Sequence, residues 1–148
     1  MSELKVLIVY DSVFGNTEKI AKAMGEALTG ETRVARVGSV NPSEIKNYNV
    51  ALMGSPTRGG RPTEAMQALL SKLTPEDIKG VRLASFDTRL STRFVGIFGY
   101  AAGRTAEALK KLGVAEVIQE AFYVKGREGP LKEGELERAA EWAKKVTQ

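Results

Sequence analysis

Short apolar runs without a polar interruption alternate along this chain with stretches of helical periodicity, and that alternation limits the fold more than any other feature. Val6–Tyr10 reads VLIVY and Val50–Gly54 reads VALMG. Runs so short, apolar at every position and rich in β-branched residues, are strands covered on both faces, since a half-exposed strand would alternate. Val81–Phe86 (VRLASF) is another strand. Thr32–Val37 (TRVARV) does alternate, which places it at an edge, and Ala115–Val124 is a fifth strand interrupted by Gln119 and Glu120. Between them lie helical patterns. Asn16–Leu28 carries Ile20, Met24 and Leu28 on one face and is closed by Gly30. Asn41-Pro42-Ser43 opens a short turn or helix. Pro62 and Thr63 start a helix with Met66, Leu69, Leu70 and Leu73 on its apolar side. Ala101–Leu112 ends at Gly113, and Glu133–Val146 points Leu136, Ala140 and Ala143 inward. Strands alternating with helices imply right-handed crossovers and an α/β fold, a parallel sheet with helices on both faces. The length of 148 residues suits one domain, 1–148, able to bury roughly 68–70% of its unfolded surface.

In such sheets a ligand binds beyond the carboxyl ends of the strands, at the topological switch point. Three loops leave those ends. The first runs Asp11-Ser12-Val13-Phe14-Gly15-Asn16-Thr17 straight into a helix. Its helix N-terminal amides favour an anion, Ser12, Asn16 and Thr17 add short donors, and Gly15 lets the backbone come close. A polar helix cap by Asn16 or Thr17 explains the same residues without a ligand. Neither Gly-x-Gly-x-x-Gly nor Gly-x-x-x-x-Gly-Lys-Ser/Thr is present, which disfavours the Rossmann and P-loop readings. The second loop, Gly54-Ser55-Pro56-Thr57-Arg58-Gly59-Gly60-Arg61-Pro62, follows a buried strand and precedes a Pro-started helix, a binding position rather than a plain turn. The third begins Phe86-Asp87-Thr88-Arg89.

The chain contains no cysteine and no histidine. That removes disulfides, thiolate metal sites, thiol nucleophiles and imidazole bases, so difficult chemistry falls to a bound organic cofactor.

The stretch Ser12-Val13-Phe14-Gly15-Asn16-Thr17 resembles the phosphate loop of the flavodoxin family, Ser/Thr-x-Thr-Gly-x-Thr, with Phe14 in place of a hydroxyl residue. An aromatic there looks more like flavodoxin-like quinone reductases and the flavodoxin modules of diiron flavoproteins. The resemblance covers nearly the whole chain, in the short form. It implies a three-layer sandwich with strand order 2-1-3-4-5, and FMN as cofactor. It places Ser12, Val13, Phe14, Gly15, Asn16 and Thr17 at the phosphate, Pro56, Thr57, Arg58, Gly59 and Gly60 along one side of the flavin, and Asp87, Thr88 and Arg89 on the third loop. The family's stacking tyrosine after Asp87 is missing, and Phe94, Phe98 and Tyr100 are the rings available to replace it.

The resemblance implies an electron carrier that docks a redox partner protein. The alternative is an FMN-dependent NAD(P)H:quinone or small-molecule reductase. A flavin-free receiver-like module, with Asp11 and Lys125, is remote because Gly54-Ser55 stand where its aspartate belongs. The formal charge of +4 is spread along the chain, which argues against nucleic acid. Arg58, Arg61, Arg89 and Arg93 stand against Asp87 around the expected flavin, favouring an acidic partner and a less negative lower potential. At an effective dielectric near 20, a charge about 8 Å away contributes on the order of 2 kcal/mol before screening. The apolar stretch Phe94–Phe98 marks a subunit contact as a further reading. No run reaches ~20 apolar residues, and Met1-Ser2-Glu3 leads directly into a strand, so a cytoplasmic protein away from membranes is expected.

Overall fold

The all-apolar runs sit at the centre of a five-stranded parallel sheet of order β2-β1-β3-β4-β5, as the sequence resemblance implies. A computed structural model describes residues 4–91 and 99–148. Its strands are β1 (Val6–Tyr10), β2 (Thr32–Arg36), β3 (Val50–Pro56), β4 (Arg82–Leu90) and β5 (Ile118–Val124). Its α-helices are α1 (Asn16–Ala27), α2 (Glu64–Lys72), α3 (Ala101–Lys110) and α4 (Glu135–Val146). Short 3-10 turns cover Val37–Ser39, Pro42–Asn47 and Pro75–Ile78.

The two-residue period of a strand divides its side chains between two cores. Leu7 and Val9 of β1, Ala51 and Met53 of β3 and Leu83 of β4 meet Met66 and Leu69 of α2 and Ala106 and Leu109 of α3. Their sequence neighbours Ile8, Tyr10, Leu52, Ala84 and Phe86 turn the other way, onto Ile20 and Met24 of α1 and Trp142 and Val146 of α4. On that second side Phe86, Phe122 and Trp142 form a mutual edge-to-face triangle with centroids 6.0–6.2 Å apart. Gly54 permits this packing, because a Cβ there would stand 2.1 Å from the Phe86 ring.

Two expectations are corrected. β4 runs on to Leu90, so Phe86-Asp87-Thr88-Arg89 is strand rather than loop, with Phe86, Asp87 and Thr88 in register with Gly54, Ser55 and Pro56 and Arg89 opposite Tyr123 of β5. Leu136 is exposed, not inward, because α4 begins at Glu135 and buries Ala139, Trp142, Ala143 and Val146. Among the described residues no helix is long and apolar enough to cross a membrane.

Candidate functional site

At the carboxyl ends of β1, β3 and β4 lies a cleft of about 390 Å³, and the first and second loops form two of its walls. That volume falls within the range usual for small-molecule sites. Ser12, Val13, Phe14, Asn16 and Thr17 line it from the first loop, and Pro56, Thr57, Arg58, Gly59 and Gly60 from the second. Thr88 and Arg89 line it from β4.

The first loop turns into α1 through Gly15, whose φ of 94° is the left-handed conformation that side chains disfavour. Gly15 is not among the lining residues; its part is this turn. The Ser12 hydroxyl oxygen accepts from the amides of Gly15 (3.1 Å) and Glu18 (3.3 Å). Asn16 and Thr17 therefore do not cap their own helix. Asn16 Nδ2 donates to the Glu128 carbonyl at 3.2 Å, while the Thr17 hydroxyl, almost fully buried, meets the Thr88 hydroxyl at 2.7 Å. The backbone amides of Asn16 and Thr17 carry no partner among the described residues.

The occupied lone pairs of the lining hydroxyls determine what the cleft can accept. Both lone pairs of Ser12 Oγ are occupied by amides, so its hydrogen must be donated elsewhere. Thr57 Oγ1 accepts from the Ala101 amide at 2.9 Å and likewise keeps its proton to give. Between Thr17 and Thr88 only one hydrogen fits, which leaves the other hydroxyl a free donor. Lining hydroxyls polarised as donors beside two open amides suit an acceptor-rich anion such as a phosphate, and the residues present thus fit FMN.

Exposed apolar side chains stand at the mouth. Val13 and Phe14 are 49% and 45% exposed, and the Arg58 guanidinium carbon lies 5.6 Å from the Phe14 ring centre. Phe14 is thus not packed beneath its loop. Arg58 and Arg61 exchange backbone hydrogen bonds of 2.8 and 3.1 Å around Gly59-Gly60, a tight turn that projects Arg58 into the cleft. Arg61 lies outside the lining, and Arg93 lies outside the described residues.

Asp87 is corrected from cofactor ligand to scaffold. It is fully buried, does not line the cleft, and accepts from Arg89 at 2.8 and 2.7 Å and from the Ala102 amide at 2.8 Å. Burial would lower the pKa of Arg89, but this two-pronged pairing outweighs it and raises it. Arg89 also covers the Tyr100 ring at 3.4 Å. Tyr100 does not line the cleft, and the other two candidate rings, Phe94 and Phe98, lie outside the described residues with the suggested subunit contact. Beside the first loop, Arg36 pairs with Asp11 (3.3 Å) and Glu18 (3.7 Å). Hydrogen bonds from Lys22 and then Tyr10 hold Glu18 below the usual carboxylate range.

Three lining residues escaped sequence reasoning: Leu90, Val124 and Arg127. Leu90 follows from the unexpected length of β4. Arg127 sits in a Gly/Pro-rich turn with no local mark of a site.

Residues 8–142 match the family model described as Flavodoxin. A flavodoxin from Maridesulfovibrio salexigens is 31% identical over 131 residues, spanning 82% of this chain and 86% of that protein. Flavodoxin 2 from Bacillus cereus shares the fold with a TM-score of 0.74 at 22% identity, covering 96% of this chain and 97% of that one. The rubredoxin oxygen:oxidoreductase of Desulfovibrio gigas matches 97% of this chain with a TM-score of 0.74 at 21% identity, over only 35% of its own length. By the family match across most of its length, and by the sheet order that such proteins share, this chain belongs to the flavodoxin family.

Proposed function

We propose that the cleft between the first loop, the second loop and the end of β4 is where this flavodoxin holds FMN, phosphate at Ser12–Thr17 and flavin toward Phe14 and Arg58. As a flavodoxin the chain binds FMN and transfers electrons to redox partner proteins. Bound there, FMN supplies the one- and two-electron chemistry, and the protein supplies placement and electrostatics. One observation carries this reading: Ser12, Thr57 and the Thr17–Thr88 pair present donor hydrogens because their acceptor sides are filled from within the fold. Neutral donors of this kind hold a phosphate ester without a residue that titrates near pH 7.

The partner is an acidic protein. Val13 and Phe14 expose apolar surface at the cleft mouth, and the exposed Arg58 stands beside them without an ion pair among the described residues. Such a patch, apolar at its centre with a cation at its rim, favours carboxylates in the docking face and steers their approach. Reductase and receiver readings gain nothing comparable. Ser55, where a receiver needs its aspartate, is buried and bonded to the Thr63 amide and the Pro56 carbonyl. The visible spectrum of the purified protein tests the site: flavin bands, with FMN released on denaturation and lost when Ser12 and Thr57 are both changed to Ala, are expected. Unchanged FMN binding in that double variant would overturn it.

A further inference from the structure

The turn between β5 and α4 lies far from the first loop in sequence yet closes onto it. Lys125 N donates to the Pro130 carbonyl at 2.8 Å and Gly129 N to the Gly126 carbonyl at 3.0 Å, which leaves Arg127 and Glu128 at the tip. That tip is anchored to the start of α1 by the bond from Asn16 Nδ2 to the Glu128 carbonyl. The approach is so close that a Cβ on Gly129 would stand 2.7 Å from the Asn16 amide group. Arg127 therefore lines the cleft from a turn held against Asn16, while Glu128 does not line it.

The other two guanidinium groups that line the cleft belong to Arg58 and Arg89. Arg89 is paired with Asp87 and Arg58 lies over the exposed Phe14 ring, while Arg36, beside the first loop, is paired with Asp11 and Glu18. Arg127 has no ion pair, hydrogen bond or ring contact among the described residues. A phosphate monoester carries about −1.5 to −2 charges at pH 7, whereas Ser12, Asn16, Thr17 and Thr88 carry none. We propose that Arg127 is a phosphate-discriminating residue: it supplies the formal positive charge that makes this cleft prefer a phosphorylated flavin to its unphosphorylated parent.

This rests on the FMN site proposed above, and the test separates the two. Apoprotein is titrated with FMN and with riboflavin by fluorescence quenching, for the unaltered chain, Arg127→Gln and Arg127→Lys, at low and high salt. Arg127→Gln is expected to weaken FMN about tenfold, roughly the weight of one charge-assisted hydrogen bond. The loss is confined to the phosphorylated ligand, the salt dependence of FMN binding becomes shallower, and Lys recovers part of the affinity. An equal loss for both ligands, or unchanged FMN affinity with an unchanged salt dependence, overturns the role of Arg127. Failure of the unaltered chain to bind FMN would instead overturn the site.

Discussion

Replacing Asp87 by Asn separates scaffold from binding site. Its carboxylate receives two hydrogen bonds from Arg89 and one from the Ala102 amide, all between 2.7 and 2.8 Å, with no exposure to water. Asn keeps the shape and one carbonyl oxygen, but turns an NH2 group toward a guanidinium that has only donors. Hydrogen bonds to charged groups contribute about 1.5–3 kcal/mol each. Arg89 is partly relieved, because its side chain retains 16% exposure and the Tyr100 face. The cost should therefore sit near the low end of that for a broken buried pair, about 3 kcal/mol. With about 2.1 cal/mol/K of unfolding entropy per residue, a chain of 148 residues loses about 10 °C in Tm. Thermal unfolding must be followed on apoprotein, since a bound ligand adds stability of its own. If Asp87→Asn leaves the apoprotein Tm within about 2 °C while FMN affinity collapses, the scaffold assignment is wrong.

Other consequences can be checked separately. Arg58→Gln should make the more negative one-electron potential of the bound flavin more negative by about 40 mV, equivalent to ~1 kcal/mol of lost charge interaction. Arg61→Gln, outside the cleft lining, should move it far less; equal shifts in spectroelectrochemistry would contradict the geometry. Gly54→Ala forces its Cβ against Phe86 and should cost about 1–3 kcal/mol in a denaturant titration. Glu135 is buried, which alone would raise its pKa, but Arg138 and the Tyr123 amide outweigh burial and depress it. Its contribution is complete above the unfolded value of about 4.3 and is lost as pH falls through the lower folded value. Glu135→Gln should thus reduce Tm at pH 7 and flatten its decline on acidification; parallel Tm–pH curves would reject this.

The sequence patterns made β1 and β3 legible because nothing polar interrupts them, and the sheet order followed from the family resemblance. The end of β4 was hidden for the opposite reason. Asp87, Thr88 and Arg89 look like a loop in one dimension, yet each polar group finds its partner inside the fold: Asp87 with Arg89, Thr88 with Thr17. Polar residues joined in pairs are tolerated in a buried strand, and a one-dimensional pattern does not show pairs. Leu136 misled because the inward face of α4 is built largely from alanines around Trp142, a weaker signal than one leucine. Arg127 was invisible as a lining residue because its position depends on a contact between Asn16 and Glu128, 112 residues apart.

The triangle of Phe86, Phe122 and Trp142 gives the molecule an optical gauge of its own. Trp142 is the chain's single tryptophan, shielded from water and held edge-on between two phenyl rings. All indole emission therefore arises from one place, where α4 packs on β4 and β5. Its colour reports whether that corner is dry. Because oxidised flavin absorbs where indole emits, its brightness also reports whether the cleft is loaded. Unfolding reddens the emission and loss of cofactor brightens it, so a single label-free spectrum reads the two events on separate axes.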